Sequence, residues 1–204
     1  MKLYGFIRGL LKFITKALLR VTVVGAENIP ESGPVLLCPN HVSNWDPLLI
    51  FAYSQRQLTF MAKASLFKIP VLAQILKALK VFPVNRNGND LRAMKTAFSL
   101  IKAGNCVGIF PQGKRVMRAE PDSVEIKSGV GMCVYHSKCD VVPVAIVSKK
   151  NKINLFSRVY VIFGDVIKYE SFNMSEGIKE EFQEASNVIF DRVMKLYKEY
   201  KEKM

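Results

Sequence analysis

Between residues 35 and 163 the chain sets down short apolar runs at 35–38, 58–62, 81–84, 106–110, 141–147 and 159–163, and most of the gaps between them read as helix. Runs of four to seven apolar residues have strand length, and a strand apolar on both sides must be covered on both sides. Intervening helices supply that cover. The pattern therefore predicts a single α/β domain, with a mixed, largely parallel sheet flanked by helices, and leaves the strand order open. Helices are expected from Pro47 to about Tyr53 with Asp46 as N-cap, from Asp90 to Ala103 with Gly104 as the stop, and near Gly129–Ser137. Another is expected over 175–204, where Ile178, Phe182, Ala185, Ile189 and Tyr197 share a face opposite alternating Lys and Glu. The stretch LFKIPVLAQILKALK is amphipathic, interrupted by Pro70, and is a second candidate for lipid contact.

At 204 residues the chain is of one-domain size, given roughly 150 residues per domain. Half of its residues are apolar, enough for a core without disulfides, and disorder is excluded as the main state. Cys38, Cys106, Cys133 and Cys139 show no C-x-x-C spacing and read as buried thiols in a reducing compartment. The longest stretch without a charge, Ser32–Trp45, is too short to cross a bilayer and contains polar residues.

Thirty Lys and Arg against 17 Asp and Glu leave a net charge of +13, which calls for an anionic partner. Residues 1–24 point to which one. Arg8, Lys12, Lys16 and Arg20 recur every four residues and, at 100° per residue, occupy about 120° of a helix, with Lys2 in the same sector. Leu3, Phe6, Ile7, Leu10, Leu11, Phe13, Ile14, Leu18 and Leu19 fill much of the remainder. A wide apolar face beside a narrow basic one suits a helix lying in the headgroup region of an anionic membrane. An ordinary packing helix or a cleaved leader are the alternatives, although charges interrupt the apolar core of such a leader and no small-residue cleavage site follows. The organisation expected is a membrane-association helix at 1–24 and a folded domain at 25–204. Nucleic acid is excluded as the partner because no zinc-finger, helix-turn-helix or RNP-like pattern is present.

Two clusters carry candidate chemistry. In Asn40-His41-Val42-Ser43-Asn44-Trp45-Asp46, a turn between strand and helix would fold Asp46 back on His41, fixing its tautomer and freeing the other ring nitrogen as a base. The plain alternative makes Asp46 a helix cap and His41 a turn residue. No nucleophile elbow, C-x-x-C or H-E-x-x-H motif is present, so no metal site is expected and the attacking oxygen would come from a substrate. Phe110-Pro111-Gln112-Gly113-Lys114-Arg115 follows a strand, where Lys114, Arg115 and, from another strand end, Arg86 are placed to hold a phosphate. His136 and Trp45 read as structural.

These residues carry a family resemblance. NHVSNWD resembles the N-H-x4-D block of the 1-acyl-glycerol-3-phosphate acyltransferase family of glycerolipid acyltransferases. VFPVNR, IFPQGKR and VVPVAIV resemble the following blocks in the same order, over about residues 20–170. The resemblance implies transfer of an acyl chain from acyl-CoA or acyl-ACP, as substrate and without a cofactor, to a lysophospholipid hydroxyl, leading with 1-acyl-glycerol-3-phosphate. His41 would be the base and Asp46 its orienter, with Arg86, Gln112, Gly113, Lys114, Arg115 and Lys127 around the acceptor. The third block departs from F-P-E-G-T-R at Gln112 and Lys114, which makes the loop two charges more positive and points to a different or more anionic acceptor. The expected location is peripheral or monotopic, on the cytoplasmic face of a membrane. The rivals are acylation of glycerol phosphate or another lysolipid and, from another class, a noncatalytic anionic-lipid-binding protein.

Overall fold

A computed structural model describes residues 2–85 and 91–204. Seven strands form one sheet in the order β1-β7-β6-β2-β5-β3-β4. They are β1 Arg20–Val24, β2 Val35–Pro39, β3 Leu58–Lys63, β4 Phe82–Val84, β5 Cys106–Gly108, β6 Asp140–Ser148 and β7 Arg158–Phe163. Every pairing is parallel except β6 with β7. The carboxyl ends of β2 to β6 therefore share one edge of the sheet. The β6–β7 turn and the start of β1 lie at that same edge.

The helices are α1 Lys2–Leu18, α2 Asp46–Tyr53, α3 Pro70–Ala78, α4 Leu91–Lys102, α5 Gly129–Ser137 and α6 Lys179–Lys201. Residues of β2 alternate between two cores: Val35 and Leu37 join Leu49 and Ile50 of α2, whereas Leu36 and Cys38 join Ala97, Val130 and Ile189 of α4, α5 and α6. This is why β2 is apolar at consecutive positions, since both of its faces are covered. The two helices α5 and α6 approach so closely at Gly131 that a Cβ there would lie on the Phe182 carbonyl, and Ser186 accepts the Gly131 N–H at 2.9 Å. All four cysteines are buried free thiols, and burial pushes their pKa values up, Cys106 and Cys139 to about 12.

The amino terminus departs from the expectation of a helix over 1–24. The helix stops at Leu18, and Arg20–Val24 becomes an edge strand paired residue by residue with Arg158–Ile162 of β7. The five-residue alternation RVTVV is a real strand signal, but it is masked by the four-residue spacing that makes Arg20 look like the next basic position of the helix. The apolar face of α1 also divides in two. Tyr4 stacks obliquely on Phe51 of α2 at 4.7 Å, its hydroxyl accepts the Leu58 N–H, and Lys12 lies over the Tyr53 ring. Leu3, Phe6, Leu10 and Phe13, spaced by three and four, face outward and are exposed. Pro70 does not interrupt a helix but opens α3 at its first turn, where the missing N–H costs nothing. The carboxyl-terminal helix begins four residues later than expected, because the N–H groups of Ser175, Glu176 and Gly177 bond to the Glu181 carboxylate and hold its pKa down.

Candidate active site

Beyond the end of β2 the chain is fixed by an amide that imitates a strand. The Asn40 side chain accepts the Ile146 N–H at 2.7 Å and donates to the Ile146 carbonyl at 3.0 Å, tying the loop to β6. His41 follows, 5% exposed. Its N–H donates to Gln112 Oε1 at 2.6 Å, its carbonyl accepts the Val116 N–H at 2.7 Å, and its Nδ1 meets Asp46 Oδ2 at 2.7 Å. The imidazole stacks on Phe110 with ring centroids 3.9 Å apart, and Phe60 lies behind Phe110 at 5.8 Å. Backbone, ring plane and one ring nitrogen are thus all set, which leaves Nε2 as the atom for a substrate proton.

Asp46 differs from the expected helix cap. The N-cap of α2 is Trp45, without a side-chain cap bond, and Asp46 is the first residue of the helix. Its carboxylate turns backward: Oδ2 accepts from His41 Nδ1 and from the Val42 and Ser43 N–H groups, each at 2.7 Å. Burial pushes the carboxyl pKa up, while the bond from His41 and those two N–H groups pull against it. Oδ1 is buried without a hydrogen-bond partner among the described residues. A five-residue spacing that separates the two side chains on a helix brings them together across this turn.

Gln112, expected beside the acceptor, is enclosed in protein at 1% exposure. Oε1 accepts from His41 and Nε2 donates to the Pro121 carbonyl at 2.7 Å, so both ends of the amide are used. Gly113, Lys114, Arg115 and Lys127 are exposed in contrast. Gly113 has φ 64°, a conformation that favours glycine, and the Lys127 stem lies 3.4 Å from where a Cβ would stand. Lys127 donates its N–H to the Pro111 carbonyl, and Arg115 Nη1 donates to Asn44 Oδ1 at 2.7 Å, within the same loop as His41. The loop after β5 therefore carries one side chain inward to brace His41 and several cations outward beside it. Arg86 lies outside the described residues.

Three contributors escaped the sequence reading: Phe110 under the imidazole, the Asn40 clamp and the Pro121 carbonyl. Only Asn40 had a local signal, its place next to His41. His136 lies among Phe98, Tyr135 and Phe182, and Asp140 pairs with Lys168 at 2.6 Å rather than with His136. Among the described residues, no three His, Cys, Asp or Glu side chains gather as metal ligands would.

Comparison with known proteins gives concordant results. The profile of the Acyltransferase family matches residues 20–147, a span that holds all four blocks. The chain is 28% identical over 200 residues to a 1-acyl-sn-glycerol-3-phosphate acyltransferase of Bacillus subtilis, covering 91% of this chain and 98% of that protein. It is 33% identical over 175 residues to a probable 1-acyl-sn-glycerol-3-phosphate acyltransferase of Mycoplasma genitalium, covering 76% of this chain and 64% of that one. The crystal structure of the 1-acyl-sn-glycerophosphate acyltransferase PlsC of Thermotoga maritima has the same fold. It superposes with a TM-score of 0.71 at 24% identity, over 95% of this chain and 79% of that chain.

Proposed function

The chain belongs to the acyltransferase family, and from that premise we propose that it acylates the free hydroxyl of 1-acyl-glycerol-3-phosphate, forming phosphatidic acid from an acyl-CoA or acyl-ACP thioester. The observation that carries the reading is the 2.7 Å contact of His41 Nδ1 with a carboxylate buried at the start of α2. With Nδ1 protonated and bonded to Asp46, Nε2 takes the proton of the acceptor hydroxyl. The acceptor oxygen attacks the thioester carbonyl, the tetrahedral oxyanion collapses, the C–S bond breaks, and the imidazolium returns its proton to the leaving thiolate. Asp46 stabilises the transient imidazolium and keeps the ring from turning. Gln112 acts through His41 and positions it.

The acceptor phosphate lies against Arg115 and Lys127, with Gly113 allowing close approach of the backbone and Lys114 and Arg86 adding charge. Because Gln112 is enclosed, Lys114 is the departure in this loop that faces the acceptor. The outward stripe of α1 rests in the headgroup region of an anionic membrane, on its cytoplasmic face, which supplies a lipid acceptor without a spanning segment. Among the described residues no helix is long and apolar enough to cross a membrane.

Thiol release from acyl-CoA and acyl-ACP, measured on anionic vesicles with a panel of lysolipids and glycerol phosphate, tests this. Wild type releases thiol only with its acceptor, 1-acyl-glycerol-3-phosphate giving the highest kcat/KM, and His41→Ala lowers the rate by about 10³-fold. Equal release by His41→Ala overturns His41 as the base, whereas tight vesicle binding with no release from any pair overturns the catalytic reading in favour of a noncatalytic lipid binder.

A further inference from the structure

At the sheet edge that holds His41, the β6–β7 turn bounds a cavity of about 910 Å³ that the proposed chemistry leaves unused. Six cations line it, Arg118, Lys149, Lys150, Lys152, Arg158 and Lys201, against a single acid, Glu120. Such a concentration of like charge in a concave surface is unfavourable unless an anion relieves it.

The cavity is wired to the candidate active site. Val116 donates its N–H to the His41 carbonyl at 2.7 Å, and two residues later Arg118 donates to the Asn151 carbonyl at 3.2 Å. Two residues span at most about 7 Å, so the nearest wall starts within that distance of Val116, which is itself bonded to the His41 carbonyl. Its floor is rigid. Asn151 is buried and donates to the Ala119 carbonyl at 2.8 Å, and its Oδ1 accepts from Tyr197 at 2.6 Å and from Lys201 Nζ at 3.1 Å. Lys201 also donates to the Ser148 and Lys149 carbonyls, and its partial burial pulls its pKa down.

The backbone carries the same message. Among the described residues, six non-glycine residues have positive φ, and three of them line this cavity: Arg118 at 59°, Asn151 at 48° and Phe156 at 62°. Lys80, Lys138 and Asn173 follow helical segments, where a left-handed residue is an ordinary terminator. Phe156 is the third residue of the turn closed by the Ser157 N–H on the Asn154 carbonyl, and Asn151 closes a turn on Ser148, so of the three Arg118 alone holds a left-handed conformation that no turn accounts for. Phe156, 67% exposed, stands at the rim while its N–H donates to the carbonyl of Leu18. A flat aromatic beside a cluster of cations suits a base next to phosphates.

We propose that this cavity holds the phosphate-bearing nucleotide end of a coenzyme thioester, the acyl donor, while its thioester end reaches His41. The inference rests on the acyl-transfer reading and makes acyl-CoA the donor. It separates two anion sites along one edge, Arg115 and Lys127 for the acceptor and the β6–β7 cavity for the donor. The same phosphate chemistry is offered by a lipid headgroup, but a wired, concave floor fits a discrete ligand better than a bilayer surface.

The test uses the full chain, adenosine 3′,5′-bisphosphate as a soluble probe without vesicles, and sedimentation with anionic vesicles. The double variant Lys149→Ser, Lys152→Ser removes two exposed charges, and Phe156→Gly removes the ring at a backbone conformation glycine adopts freely. Lys149→Ser, Lys152→Ser is expected to raise the KM for acyl-CoA by about tenfold or more. It weakens the bisphosphate in proportion and leaves kcat, acceptor KM and vesicle binding unchanged. Phe156→Gly raises the donor KM about threefold. An unchanged donor KM with lost sedimentation overturns the proposal and assigns the cavity to lipid headgroups. A wild type that uses acyl-ACP alone and does not bind the bisphosphate also overturns it, leaving the acyl-transfer reading intact. That reading fails separately, if wild type releases no thiol from either donor.

Discussion

Two of the outer helices, α1 and α6, each bury one stripe, α1 against α2 and α6 against α5 and β6, and end with opposite exteriors. On α6, Ala185, Ile189, Val193 and Tyr197 are buried, and the outside is mostly Lys, Glu, Asp and Arg, with Val188 the one large apolar side chain exposed. On α1, Tyr4 and Thr15 engage α2, yet the outside carries Leu3, Phe6, Leu10 and Phe13. Packing accounts for one stripe of each helix. What is left over reflects the surroundings, and an apolar stripe of this length is unfavourable against water. Asp46 of the candidate site opens α2, the helix on which α1 packs. The exposed apolar stripe and the candidate site therefore belong to the same part of the molecule, as the proposed function requires, and the outside of α6 is charged.

The largest effect should come from breaking the candidate site in that part of the molecule. Asp46→Asn keeps an acceptor for the Val42 and Ser43 N–H groups but offers the imidazole an amide, which favours the wrong tautomer. The expected loss in kcat is about 10³-fold, with acceptor KM nearly constant. Stability should move the other way with pH. The folded carboxyl binds its proton more strongly than the ordinary value of 3.8, because it is buried. The contribution of Asp46 to wild-type stability therefore falls as pH climbs from about 3.8 through the raised folded value, then levels off. Asp46→Asn lacks that descent and gains on wild type across the window. Urea midpoints over a pH series check it, and a gap between the two proteins that ignores pH would sink the assignment.

A smaller effect follows from making the two exteriors alike. Phe6→Asp with Phe13→Asp gives α1 an outside like that of α6. Each phenylalanine buried in lipid contributes about 1.5–3 kcal/mol, so partition onto anionic vesicles should drop by about two orders of magnitude or more. The melting temperature should hardly change, since both side chains are exposed in the fold. Val188→Asp on α6 is the control and should alter neither quantity. Equal loss from both variants would mean that the contrast between the helices says nothing about a membrane.

The contrast was half legible in the sequence. The central strands could be read because burial on both faces makes them apolar at every position, and the His41–Asp46 block could be read because its residue types and spacing are specific. Strand β1 could not, because a short alternating run competes poorly with a longer helical period that happens to include Arg20. Nor could the division of α1 into an inner and an outer stripe, since both are apolar and only tertiary contacts tell them apart. The inward turn of Gln112 was invisible for a related reason. It sits between Pro111 and Gly113 in a loop with no period, so nothing local says which side chains face the solvent.

The smallest expected effect probes the surroundings of His41, where Asp46 is the one buried carboxylate among the described residues. Gln112 suits its place because an amide accepts from the His41 N–H at one end and donates to the Pro121 carbonyl at the other. Gln112→Glu preserves the first bond and sets an anionic oxygen against a carbonyl oxygen in the second. The new carboxyl must take a proton or move. Its folded pKa is thereby raised, so the variant loses stability as pH rises through that value, and the His41 backbone loosens over the same range. About a tenfold fall in kcat is expected above that raised value, shrinking below it, with the order of preference among lysolipids unchanged. Gln112→Met separates bracing from charge: it removes both hydrogen bonds, introduces no ionisable group and should lower kcat without the pH dependence. A changed ranking of lysolipids at constant kcat would show instead that residue 112 reads the acceptor, and the division between an inward brace and an outward anion site would be lost.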